Sequence, residues 1–82
     1  MKKGYLKFNE ITGRYHFWLA DPRGYYYPEY PLHCGDCFEV KIKGKWKPTR
    51  IEASGVRNYA DMYYLVGTRL HGRELEDLEV RM

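Results

Sequence analysis

The 82-residue chain has a single serine, only two cysteines, and no apolar run that approaches the roughly 18 residues of a membrane-spanning helix. Each shortage removes a class of protein. Ser54 sits in a polar stretch without a Gly-x-Ser-x-Gly elbow, so no serine-hydrolase nucleophile is marked. The eight glycines are scattered at turn positions, and none builds a loop that could cradle a phosphate. The start, Met1-Lys2-Lys3-Gly4-Tyr5, is charged but leads into no apolar segment of the kind an export signal needs. A cytoplasmic, reducing setting is therefore expected, with no membrane partner. Glu74, Glu76, Asp77 and Glu79 lie close together, yet nothing pairs an acid with a base, and a charged run of this kind reads as a solvated face. The expectation is a non-enzymatic protein that needs no cofactor.

What the chain has in quantity is rings. Aromatic residues make up 17% of it, nine of them tyrosine, which is far too aromatic for a disordered polypeptide. Its length allows one small domain, residues 1–82, read here as a monomer. The net charge of +3 is unevenly spread. Residues 32–60 carry six Lys/Arg against three Asp/Glu, whereas residues 61–82 carry three against five.

Short alternating stretches broken by Gly, Pro, Asn and Asp predict strands rather than helices. Tyr5–Phe8 and Tyr15–Leu19 should form a hairpin around Asn9–Gly13. Asp21-Pro22-Arg23-Gly24 is a turn, with Pro and Gly at the positions that suit them. Tyr25–Pro31 holds two prolines, which restricts it to an edge strand or a loop. Phe38–Ile42 alternates, with Phe38, Val40 and Ile42 facing a core and Glu39, Lys41 and Lys43 facing water. The chain then turns at Gly44 and returns through Trp46–Glu52. A two-residue loop Gly44-Lys45 would pair Ile51 with Phe38 and Arg50 with Glu39, leaving Trp46 beside Lys43 on the solvent face. A slip by one residue would put Trp46 in the core. Met62–Val66 and the alternating Leu78, Val80 and Met82 complete five or six short antiparallel strands. The fold class is all-β, a small SH3-like or alternatively OB-like barrel.

His33-Cys34-Gly35-Asp36-Cys37 contains both cysteines. A structural zinc site needs four ligands, commonly from two separate pairs, and no second Cys/His pair exists. A redox Cys-x-x-Cys favours a helix start, whereas a strand pattern follows Cys37. The remaining reading is a Gly-Asp turn in which Asp36 accepts backbone N–H groups and Cys34 and Cys37 act as small, half-buried apolar residues. A zinc or thiol site at Cys34/Cys37 is the further alternative; otherwise no metal ligand is assigned.

Lys41, Lys43, Trp46 and Arg50 share one face of the second hairpin. Cations beside an exposed ring can hold phosphates while the ring stacks on a base, so nucleic acid or a nucleoprotein is the expected partner. Lysines on a hairpin also simply keep it soluble. A second surface, Tyr25, Tyr26, Tyr27 and Tyr30, has the ring-rich composition of a protein-binding patch.

From residue 32 to 82 the chain resembles an uncharacterised family of short proteins from Gram-positive bacteria, carried on plasmids, conjugative elements and phages. The resemblance rests on the order of Gly35-Asp36, Phe38-Glu39-Val40, Gly44-Lys45-Trp46, Arg50-Ile51-Glu52, Tyr64-Leu65-Val66 and Val80-Arg81-Met82. It implies a compact β domain from a mobile-element setting and brings no activity with it. The loop around Val56-Arg57-Asn58 and the aromatic segment Tyr25–Tyr30 depart from the pattern. That setting adds an alternative function, a small inhibitor of a host defence protein, anti-CRISPR-like. It would act by occlusion through the tyrosine segment or through the acidic end, Glu74–Glu79.

Overall fold

The computed structural model describes residues 2–20, 24, 26–55 and 60–82, the side chains of 26–30 excepted. Seven strands form one antiparallel sheet: β1 (Lys3–Asn9), β2 (Arg14–Ala20), β3 (Tyr26–Pro31), β4 (Cys37–Ile42), β5 (Lys45–Ala53), β6 (Tyr63–Leu65) and β7 (Glu79–Arg81). Their order is β3-β2-β1-β7-β4-β5-β6. The fold is all-β and barrel-like, with seven strands among the described residues where five or six were expected. The proline-bearing segment accounts for the difference: it is a true strand, and it lies at the sheet edge. No helix among the described residues is long and apolar enough to cross a membrane.

Two three-stranded meanders, β1-β2-β3 and β4-β5-β6, follow the same plan. β7 lies between the first strand of each, pairing Gly4 with Val80 on one side and Val40 with Val80 on the other. Alternation then sorts the side chains. Leu6, Tyr15, Phe17, Phe38, Val40, Ile51, Leu65 and Val80 point inward and are buried, joined by Leu32, Tyr63 and Leu75. Val80 is 0% exposed at the seam. Removing its two methyls would cost about 2 kcal/mol in lost transfer energy and cavity.

Polar groups inside are satisfied by turns that arrive from distant sequence. The Tyr15 hydroxyl donates to the Gly72 carbonyl at 2.8 Å, in the 3₁₀ turn Gly72–Leu75. The Tyr63 hydroxyl donates to the Gly13 carbonyl at 3.1 Å, and the two rings meet edge to face. Burial, reinforced by the Glu76 carboxylate, pushes the Tyr15 hydroxyl up to about 12. The first hairpin turns on Asn9, whose Oδ1 accepts the N–H groups of Ile11 and Thr12 at 2.9 and 3.1 Å. This is the Asx geometry that makes Asn a turn residue.

The Gly-Asp turn behaves as its sequence suggests in backbone but not in burial. Asp36 accepts the His33 N–H at 2.8 Å. Gly35 N–H donates to the Ile51 carbonyl at 2.8 Å, and Ile51 N–H to the Asp36 carbonyl at 3.1 Å, so the turn is strapped to β5. Cys34 and Cys37 are free thiols, and both are exposed rather than half-buried. The strap is made by backbone alone, which leaves the side chains outside. Among the described residues no group of three or more His, Cys, Asp or Glu is placed to hold a metal.

Candidate nucleic-acid interface

The β4–β5 hairpin closes on Lys43-Gly44, not Gly44-Lys45. Lys43 has φ 52° and Gly44 φ 79°, both in the left-handed region. That is the type I′ turn, whose twist matches the flanking strands but which asks a lysine to adopt a conformation costing about 1–2 kcal/mol. The resulting register pairs Phe38 with Thr49, Lys41 with Trp46 and Cys37 with Arg50. The expected Phe38–Ile51 and Glu39–Arg50 pairs are thus corrected by two residues. One further contact favours the observed register: Lys41 gains the Trp46 ring as its neighbour. Because the period of a strand is two, this shift leaves every side chain on its expected face. Trp46 is on the outer face, half-buried.

The outer face brings Lys41 and Trp46 together, with the Lys41 ammonium 5.7 Å from the ring centroid. Lys43 sits exposed at the turn beyond them. Arg50 shares the face but lies four residues along β5, roughly 13 Å away. It is bound there to Glu52 at 2.9 Å. A residue the sequence reading passed over, Arg81, is the centre of the cluster. Its guanidinium lies over Trp46 at 4.3 Å from the ring centroid, while its Nε donates to Glu39 at 2.7 Å. Glu79 takes Lys41 at 3.8 Å. Arg81 reaches the hairpin only because β7 pairs with β4, a contact between segments some forty residues apart. The outward phase of Arg81 was visible beside Val80; its neighbour was not.

The carboxylates of Glu39 and Glu79 hold two of the cations and orient them around the ring. Lys43, Lys45 and Lys47 are exposed and make no ion pair among the described residues. Lys45 and Lys47 fall on the other face of β5 by alternation and are exposed, so both faces of the hairpin carry cations near its tip. The cluster offers an indole with the Arg81 guanidinium over its ring and the Lys41 ammonium nearby, and further exposed positive charge at the hairpin tip.

The other surfaces take simpler parts. The acidic end is used locally: Asp77 pairs with Lys7, Glu76 accepts the Phe8 N–H at 2.8 Å, and Glu74 accepts the His71 N–H at 3.2 Å. Of the tyrosine segment, Tyr25 and the side chains of Tyr26, Tyr27 and Tyr30 lie outside the described residues. The backbone of the last three is on β3, against β2.

No curated protein matches the chain. A crystal structure of a protein from Ruminococcus gnavus is similar at 38% identity with a TM-score of 0.69, over 99% of this chain and 100% of the other. The match to a domain of unknown function, DUF5348, runs over residues 4–82, so it takes in the first meander as well as the segment from residue 32, and the chain belongs to that family.

Proposed function

We propose that the domain is a non-enzymatic binding module that takes nucleic acid, free or within a nucleoprotein, on the outer face of β4, β5 and β7. The observation that carries this reading is the Trp46 ring with Arg81 and Lys41 over it, beside Lys43, Lys45 and Lys47, which make no ion pair among the described residues. Stacking on an aromatic ring contributes about 1–3 kcal/mol per base and needs no sequence readout. The lysines supply phosphate contacts, and phosphate competes with Glu39 and Glu79 for their cations. The reading goes with the mobile-element or phage setting that the resemblance implies, in the cytoplasm and as a monomer.

Fluorescence anisotropy with labelled single-stranded DNA, duplex DNA and RNA tests it at low and near-physiological salt. Binding should weaken steeply with salt, with a slope set by the number of phosphates neutralised. Replacing Lys43 and Trp46 by alanine together should abolish it. Absence of binding at low salt, where electrostatics are strongest, or an unaffected double variant, would overturn the reading and direct the search to a host protein target.

A further inference from the structure

The two tryptophans of the chain occupy equivalent places in the two meanders. Trp46 is on the second strand of its meander and pairs with Lys41 on the first. Trp18 is on the second strand of the other and pairs with Tyr5 on the first. Both are half-buried and on the outer face. β7 runs between: Glu79 pairs with Tyr5 on one side and bonds Lys41 on the other. One row therefore crosses the sheet as Trp18, Tyr5, Glu79, Lys41 and Trp46.

At the Trp18 end the surface is concave. Tyr5, Trp18, Lys7 and Asp77 line a mostly apolar hollow of about 420 Å³, within the size range of small-ligand sites. Behind it β1 and β2 run close together: a Cβ at Gly4, on the inner face, would lie 2.1 Å from the Trp18 carbonyl oxygen. Its rim is the Lys7–Asp77 ion pair. Asp77 holds a left-handed φ of 66°, and its N–H donates to the Leu6 carbonyl at 2.8 Å, so the carboxylate is anchored to β1. The hollow combines two ring walls with a donor and an acceptor set side by side. An unpaired nucleobase has the matching form: a flat apolar face and an edge that carries both donors and acceptors.

Resting on the nucleic-acid reading above, we infer that the hollow between Tyr5 and Trp18 seats a second unpaired base of the same single strand that stacks on Trp46. The strand would run across β1, β7 and β4. Four strand spacings separate the two tryptophans, about 19 Å, which a stacked single strand covers in roughly six nucleotides. Lys3 and Arg81 form the neighbouring row, paired across β1 and β7, and give that path cations on the side away from Asp77. A duplex cannot use both platforms, because its bases present no free faces. The domain is thus specific for single strands, with a minimum length set by the sheet width.

Two single-tryptophan variants report the two ends separately. Trp46→Phe keeps a ring at the hairpin and leaves Trp18 as the one indole; Trp18→Phe does the reverse. Titration with a ten-residue oligothymidylate should quench the emission of both variants, and a three-residue one should bind far more weakly and not quench both. Trp18→Leu should weaken the ten-residue ligand by roughly 5- to 150-fold, the loss of one stacked base. Quenching of Trp46 but not Trp18, with Trp18→Leu as tight as the parent, would overturn the second seat and leave the hairpin site intact. Quenching of neither would overturn both, as would tighter binding of a duplex than of the single strand.

Discussion

The strands before the Gly-Asp turn and those after it form meanders of the same connectivity, and their outer faces differ in chemistry. The first meander places a tyrosine opposite its tryptophan and leaves a hollow; the second places a lysine there and builds a cation–aromatic cluster. The inner faces are alike, both given to the shared core. Alternation therefore settles which side a residue takes, and the identity of a single cross-strand partner decides what that side offers. β7 serves both meanders, since Val80 closes the core while Glu79 and Arg81 furnish the outer face.

The comparison breaks most completely at that seam. Val80→Asp puts a carboxylate at a position with no solvent access, and its cost should exceed about 4 kcal/mol. Circular dichroism should find no cooperative thermal transition in that variant, because neither meander covers its own core. A sharper cut is Gly4→Ala. The new methyl presses on the Trp18 carbonyl and the Phe17 ring, so the variant should lose about 1–3 kcal/mol in denaturant unfolding while leaving the Trp46 cluster in place. An unchanged midpoint would mean that the two strands separate freely there.

Tyr15 ties the first meander to the 3₁₀ turn that leads to β7, and this tie depends on pH. Its hydroxyl is held near 12 in the fold against 10 in an unfolded chain, so the protonated form is the one the fold favours. The stabilisation is complete below pH 10 and is lost as pH rises from 10 to 12. Tyr15→Phe should cost about 1 kcal/mol at neutral pH and flatten the alkaline loss of stability, as denaturant melts at pH 8 and 11 would record.

The smallest effect concerns Lys43, where stability and binding pull apart. Lys43→Asn creates the Asn-Gly pair that type I′ turns prefer, and should stabilise the hairpin by up to about 1 kcal/mol. The same change removes one cation, so the slope of log affinity against log salt should fall by roughly 0.7. A variant that is more stable and binds with an unaltered slope would show that Lys43 meets no phosphate.

Much of this was legible beforehand. Alternation placed most of the strands, two prolines narrowed β3 to an edge strand or a loop, and Asn9 and Gly44 marked their turns. Faces were right even where the register was wrong, since an error of two residues preserves them. The register escaped because a lysine accepts a left-handed conformation that composition assigns to glycine. The position of β7 escaped for a different reason. Its partners are encoded some forty and seventy residues upstream, and nothing in a local pattern selects them. Arg81 on Trp46, and Asp77 at the rim of the hollow, follow from that pairing, so they were out of reach as well. The cysteines were read correctly as a turn and wrongly as half-buried, because the turn is held by backbone groups that a sequence does not distinguish.

The most direct measurement is a map of backbone amide shifts on an isotope-labelled sample as a ten-residue oligothymidylate is added. The account predicts that the largest shifts follow the outer row and its neighbour, at Tyr5, Trp18, Lys41, Trp46 and Arg81, and fade with salt. Shifts confined to the Tyr25–Tyr30 segment or the acidic end, or none at all, would contradict it.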